Sequence, residues 1–246
     1  MEKVDVVILT KDSDDLLRAC LNSVYENIPV NRLIVIDGHS RDHTLQILGE
    51  FGAKHGNVKV VEEDGTRGKA RDRGMQEVET EWFVFVDSDV VLCRDWFRKA
   101  SRLIAPDVGA VWGVDIPSAA TNRFMVSSLM RMESHIFDLR GGCHDLLVRR
   151  EAVKGIHIPS DLHTLEDAYI RDWILSRNYR VVKSFDSHCR HYKTMESMFS
   201  RQSVRSSVLE FRDAKSIRKR WAYNAVFALM WALYGIESRS GRGLPE

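Results

Sequence analysis

The sequence predicts an α/β domain built on a mostly parallel central sheet with helices on both faces, followed by a helical tail. Three observations carry this. Short apolar, β-branched runs alternate with segments of helical period. Those runs, such as Val4 to Leu9 and Trp82 to Val86, are apolar on both sides, as strands covered on two faces must be. And 246 residues, 44% hydrophobic and 29% charged, suit one such domain with a short appendage.

Val4 to Leu9 reads as the first strand. Thr10-Lys11-Asp12-Ser13 breaks it, and Ser13 or Asp12 is placed to cap a helix that carries Leu16, Leu17, Cys20, Leu21 and Val24 at helical spacing. Pro29 closes that unit. Arg32 to Ile36 is a second strand ending at Asp37-Gly38, Ser40 to Thr44 a polar turn, and Leu45 to Phe51 a second helix. Val58 to Val61 is a third strand, Gly65 to Gly74 a glycine- and arginine-rich connection opening a helix, and Trp82 to Val86 a fourth strand. In such a sheet, ligands bind beyond the carboxyl ends of the strands. The polar residues there are Thr10, Lys11 and Asp12; Asp37; and Asp87, Ser88 and Asp89, so three clusters are expected to converge on one crevice.

Composition narrows the partners. With 36 Lys+Arg against 35 Asp+Glu, the net charge of +1 argues against nucleic acid. Cys20, Cys93, Cys143 and Cys189 stand far apart with no C-x-x-C spacing, which points to a reducing compartment. Met1 to Asp5 is charged and leads straight into a strand, so no secretory leader is expected. No G-x-G-x-x-G or G-x-x-x-x-G-K-[ST] cradles phosphates here. A bound nucleotide would need its phosphates neutralised otherwise, and a metal held by Asp87 and Asp89 is the candidate. Two residues apart in extended chain, their side chains share a face. Their hard oxygens suit Mg²⁺ or Mn²⁺. The alternative is a strand-end turn with helix-capping aspartates.

Together these segments resemble the family 2 glycosyltransferases, inverting enzymes of the GT-A fold, which is Rossmann-like; the resemblance spans about residues 4–194. Val7 to Asp12 resembles the family's opening strand and polar turn. Val35 to Thr44 resembles its D-G-S-x-D-x-T stretch with one inserted residue. Gly68 to Gly74 is similar to A-R-N-x-G, with Asp72 in place of Asn. Asp87-Ser88-Asp89 is the D-x-D, and Leu165-Glu166-Asp167 resembles the E-D motif carrying the base. The resemblance implies that Asp37 accepts a hydrogen bond from the nucleotide base, with Thr10 and Asp12 lining the pocket. It places Arg71 at the base or diphosphate, Asp87 (beside Ser88) at the ribose or metal, and Asp89 at the metal. A turn cap remains open for Asp37, and a solvated surface role for Arg71.

Gly141-Gly142 and Leu146 to Ala152 resemble the family's glycine pair and R-R-x-A strand-to-helix passage. A helix is expected to begin near Thr164, with Asp167 in its first turn. An acid there complements the helix dipole. The resemblance makes Asp167 the general base, supported by Glu166, in a single displacement that inverts the anomeric centre. A phosphate acceptor needs no proton removed, so an acid pair here argues for a hydroxyl. Between His188 and His191, the resemblance makes His191 the late metal ligand; a helical or turn spacing that leaves both on the surface stays open.

Arg201 to Arg220 is basic, and Trp221 to Ile236 is almost wholly apolar with aromatic ends. A helix over 221–236 spans about 24 Å, short of the roughly 30 Å hydrocarbon core, so an interfacial helix is expected. A helix packed on the domain or across a dimer is the alternative, which leaves a homo-oligomer open. Gln202 to Ser206 resembles Q-x-x-R-W with Ser206 in place of Trp, which disfavours processive polymerisation.

The chain thus divides into a donor half (1–115), an acceptor half (116–200) and a tail (201–246). The expected enzyme is a glycosyltransferase of hexosyltransferase type, dependent on Mn²⁺ or Mg²⁺. It would take a UDP- or GDP-linked sugar to a hydroxyl, lipid-linked or on a glycan, at the cytoplasmic face of a membrane. The alternatives are a nucleotidyltransferase, disfavoured because Thr10 to Asp15 is no glycine-rich phosphate loop, and a catalytically silent nucleotide-sugar-binding or membrane-docking protein.

Overall fold

A computed structural model describes residues 2–117, 142–160, 162 and 166–192. The strands are β1 (Val4–Thr10), β2 (Val30–Asp37), β3 (Val58–Glu62), β4 (Trp82–Asp87), β5 (Val90–Leu92), β6 (Val108–Pro117), β7 (Asp145–Arg149) and β8 (Arg180–His191). They form one eight-stranded sheet in the order β3-β2-β1-β4-β7-β6-β8-β5. The helices are α1 (Asp14–Asn27), α2 (Thr44–His55), α3 (Arg67–Glu77), α4 (Trp96–Ser101) and α5 (Glu166–Ser176), and a 3₁₀ turn at Arg150–Val153 follows β7.

The first four strands are parallel, as their two-sided apolar runs predict. β7 then enters antiparallel between β4 and β6, while β8 runs parallel to β6 and antiparallel to β5. The second half of the sheet therefore mixes directions. The expected division at 115/116 falls inside β6, and the two halves share the sheet. Thr164, Leu165, Gly141, Gln202 to Ser206 and the 221–236 stretch lie outside the described residues. Among the described residues, no helix is long and apolar enough to cross a membrane.

Alternation along the strands sorts the core onto two faces. Val6, Ile8, Val35, Val84 and Val86 pack with Leu17, Leu21 and Trp96 from α1 and α4. Val7, Ile34, Ile36, Phe83 and Phe85 pack with Met75, Ile170 and Ile174 from α3 and α5. Burying each such side chain contributes about 1.5–3 kcal/mol, which fixes the strand register and therefore the height of every strand tip.

The helix starts show which side chains are free to serve the site. Ser13 is the N-cap residue of α1, but its hydroxyl makes no cap bond. Its Oγ meets the backbone of Lys11 at 3.2 Å, and the capping oxygen comes from Asp42, whose Oδ2 accepts the Asp14 N–H at 3.0 Å. Thr66 caps α3 by accepting from the Lys69 N–H. Glycine at 74 lets α3 lie flush on the sheet: a Cβ there would stand 2.5 Å from Val7 Cγ1.

Candidate active site

The turns after β1 and β2 are stitched together. Asp37 is fully buried and accepts from the Thr10 hydroxyl at 2.8 Å, the Ser40 hydroxyl at 2.6 Å and the Ser40 N–H at 2.8 Å. Asp12, with φ at 47°, donates its N–H to Ser40 Oγ at 2.9 Å and accepts from the Arg41 N–H at 2.8 Å. The structure therefore brings Thr10, Asp12 and Asp37 together as expected, and Asp37 also organises the turn at 38–40. The tip of β4 joins them: Ser88 Oγ donates to Ser13 Oγ at 3.2 Å, and the Cys20 thiol donates to the Asp87 carbonyl at 3.3 Å.

Extended geometry does not hold at the D-x-D. β4 ends at Asp87, and Ser88-Asp89 form a turn into β5, so the two carboxylates do not share a strand face. Asp87 Oδ1 accepts from Arg71 Nη2 at 2.7 Å, and its Oδ2 lies 2.7 Å from His144 Nδ1. Asp89 Oδ2 lies 3.0 Å from His191 Nε2, whose Nδ1 lies 3.1 Å from Asp115 Oδ2. His191 sits at the end of β8, a strand and not the helix or turn its spacing allowed, and it is 4% exposed. Arg71 is 3% exposed, which removes the surface reading. Its Nε stands 3.6 Å from Glu166 Oε1 in the first turn of α5. Asp167 follows in the same turn, its Oδ1 accepting the Ala168 N–H at 2.8 Å.

Charge is concentrated along this line. Burial opposes ionisation of Asp87, but the Arg71 charge and the His144 contact hold it well below the usual carboxylate range. Burial likewise opposes the His191 cation, and hydrogen bonds to Asp115 and Asp89 overcome it, raising the imidazole to about 9. Asp145, fully enclosed and accepting from Trp96 Nε1 at 2.8 Å, is pushed well above the carboxylate range by burial, with the charges of Asp115 and Asp87 adding to it.

Two members of this cluster carry no motif. Asp115, His144 and His191 present ligand atoms within 4.8 Å of one another. Asp115 was recoverable as the single charge in the apolar run Val108 to Pro117; His144 had no comparable signal. The donors fit a divalent cation. Asp89 Oδ2 and His191 Nε2 share a hydrogen bond of 3.0 Å, so a cation held by this pair would take the place of the proton between them. Asp115 on the other ring nitrogen then fixes the imidazole, as carboxylates behind metal-bound histidines do.

The profile of glycosyl transferase family 2 matches residues 5–149, more than half of the chain. The chain belongs to this family. Poly(ribitol-phosphate) beta-glucosyltransferase of Bacillus spizizenii is 34% identical over 93 residues, 35% of this chain and 15% of that one. An uncharacterized glycosyltransferase of Haemophilus influenzae is 31% identical over 152 residues, 59% of this chain and 60% of that one. Among solved structures, the mannosyltransferase of Pyrobaculum calidifontis in complex with GDP-Man and Mn²⁺ superposes with a TM-score of 0.69 at 21% identity, covering 99% of this chain and 76% of that chain. TarS of Staphylococcus aureus superposes with a TM-score of 0.62 at 19% identity, covering 87% and 40%. The fold of this family 2 chain is therefore GT-A. The matches span 15% and 19% of the first two curated relatives' length, so this chain corresponds to a fraction of those proteins.

Proposed function

We propose that this family 2 chain transfers a hexose from a UDP- or GDP-linked sugar to a hydroxyl acceptor, inverting the anomeric centre and using Mn²⁺ or Mg²⁺. The observation that carries the reading is one continuous line of polar contacts. It runs from Asp89 and His191 through Asp115, His144, Asp87 and Arg71 to Glu166, neighbour of Asp167. The groups proposed for the metal, the donor and the base thus belong to one network of contacts.

Asp89 and His191 would hold the cation, with Asp115 and His144 beside them. When bound, the cation supplies charge stabilisation to the diphosphate as it leaves. Imidazole in the donor set favours Mn²⁺ over Mg²⁺, which prefers an all-oxygen shell. Asp37 retains acceptor capacity on Oδ2 for an N–H of the base, uracil or guanine. Asp167 removes the acceptor hydroxyl's proton as that oxygen bonds the anomeric carbon and the bond to the diphosphate breaks, a contribution of about 10²–10⁴ in rate.

The acceptor fits a polymer or lipid-linked glycan. Relatives named as poly(ribitol-phosphate) transferases act on such a polyol, and the basic-then-apolar sequence of 201–236 suits the cytoplasmic surface of a membrane. The test is a thermal-shift screen of nucleoside diphosphates with Mn²⁺, followed by transfer assays on Asp167→Asn. Metal-dependent stabilisation by one nucleotide, with transfer lost and nucleotide binding kept in the variant, supports the reading. Unchanged transfer in Asp167→Asn removes the base.

A further inference from the structure

We infer that Arg71 is a positioning residue that ties the helix of the candidate base to the tip of β4, and that its part in transfer runs through those two elements. This rests on the glycosyl-transfer reading and goes beyond the role the family resemblance implies for Arg71.

Arg71 is 3% exposed; its guanidinium meets partners through Nη2, Nε and one face, while Nη1 makes no hydrogen bond among the described residues. Nη2 donates to Asp87 Oδ1 at 2.7 Å, Nε faces Glu166 Oε1 at 3.6 Å, and the Phe85 ring lies 5.0 Å from Cζ. Glu166 is itself only 7% exposed, so its carboxylate is committed inward. The two carboxylates come from different elements, the end of β4 and the first turn of α5. A planar fork can meet both at once, which a lysine ammonium cannot reproduce.

The two contacts are unequal. The Asp87 side is a hydrogen bond, whereas the Glu166 side is an ion pair, and neither Arg71 Nε nor Nη1 has a hydrogen-bond partner among the described residues. Moving the first turn of α5 inward until Nε and Oε1 reach about 2.9 Å would close it. That movement carries Asp167, so the height of the base is set through Arg71. Gly68 holds α3, the helix of Arg71, close to its surroundings: a Cβ there would stand 2.7 Å from Ile158 Cγ2 and 3.2 Å from the Leu162 carbonyl.

The experiment compares the full-length wild type with Arg71→Lys and Glu166→Gln. UDP and GDP binding with Mn²⁺ is measured by calorimetry, and transfer at saturating donor by product formation. Displacing a reacting group by about 1 Å costs about 10²-fold, so kcat in Arg71→Lys should fall by about that factor while the nucleotide Kd stays within about 3-fold. A Kd weakened by more than about 30-fold with kcat intact overturns the inference and returns Arg71 to the diphosphate. Hydrogen exchange read on the α5 amides should quicken by about 10-fold or more in both variants, with β1 and β2 unchanged. Unchanged α5 exchange overturns the inference. This second readout needs no donor, so a wild type that binds neither nucleotide counts against the glycosyl-transfer reading while Arg71 is still decided.

Discussion

His144 Nδ1 lies 2.7 Å from Asp87 Oδ2, and its Nε2 lies 3.6 Å from Asp115 Oδ2. One imidazole just before β7 thus spans the tip of β4 and the body of β6, two strands that β7 separates in the sheet. Removing it takes one partner from each carboxylate, leaving Asp87 on Arg71 and Asp115 on His191. Outer-shell partners of this kind typically contribute 10–100-fold to metal affinity. His144→Ala is expected to weaken Mn²⁺ binding in the presence of UDP or GDP by about that factor, read by electron paramagnetic resonance titration. An unaltered Mn²⁺ affinity would take His144 out of the cluster's function.

Asp89 Oδ2 and His191 Nε2 face each other across a 3.0 Å hydrogen bond, and they are the pair proposed to take the cation. Asp89→Ala should therefore abolish metal-dependent nucleotide binding and transfer together. For the wild type, nucleotide and Mn²⁺ at about 100 times the dissociation constant stabilise by about 2.7 kcal/mol, or about 5–11 °C in Tm for a chain of this size. Loss of that shift in Asp89→Ala, with the Tm of the ligand-free protein unchanged, is the expected pattern. A full shift in the variant would place the cation elsewhere.

The contrast between these two sites explains what the sequence could and could not reveal. Asp37 and Asp87 were legible because each ends an apolar run, and a strand tip is a local property; Asp89 was read as the second acid of the same D-x-D. Asp115 and His144 enter the cluster through pairings between distant segments: Asp115 is opposite Cys189, and β7 is threaded antiparallel between β4 and β6. No local period encodes that. The Asp42 cap of α1 was hidden for the same reason, because its oxygen arrives from another loop. At Ser88-Asp89 the extended expectation failed since the chain turns at once into β5 to pair with β8. The histidine spacing at 188–191 was ambiguous until β5 and β6 supplied strand partners on either side.

Stability should depend on pH through the other end of the sheet. Asp5, fully buried in β1, accepts from Arg32 Nη2 at 2.8 Å, Asn31 Nδ2 at 2.9 Å and the Glu79 N–H at 2.8 Å. Burial pushes its pKa up, but these partners, Arg32 foremost, bring it below the ordinary aspartate value. A depressed folded pKa gives stability that is fully present above the unfolded value of about 3.9 and is lost as pH falls through the folded value. Asp5→Asn should cost about 2–3 kcal/mol at pH 7, below the 3–5 of a fully buried pair because the Arg32 side chain is 24% exposed. Urea midpoints from pH 7 to pH 2 should show the two proteins parallel above about pH 5 and converging below about pH 4. A gap that persists undiminished to pH 2 would assign the effect to shape and not to charge.

The closeness of α3 to β1 gives a test that joins packing to the site. A Cβ at Gly74 would stand 2.5 Å from Val7 Cγ1 and 3.5 Å from Ile36 Cγ1, whereas one at Gly49 in α2 meets nothing within 4 Å. Alanine is favoured over glycine inside a helix by about 1 kcal/mol, so Gly49→Ala should stabilise by about that amount. At Gly74 overpacking costs about 1–3 kcal/mol and outweighs that gain. Gly74→Ala should therefore lower stability by up to about 2 kcal/mol in urea unfolding, and the sign should reverse in a Val7→Ala background, where the space for the new methyl exists. Arg71 lies one turn before Gly74 in the same helix and reaches both Asp87 and Glu166, so lifting α3 from the sheet should also slow transfer. Recovery of both stability and transfer in the Val7→Ala, Gly74→Ala double variant would show that one displacement causes both losses; recovery of stability alone would separate them.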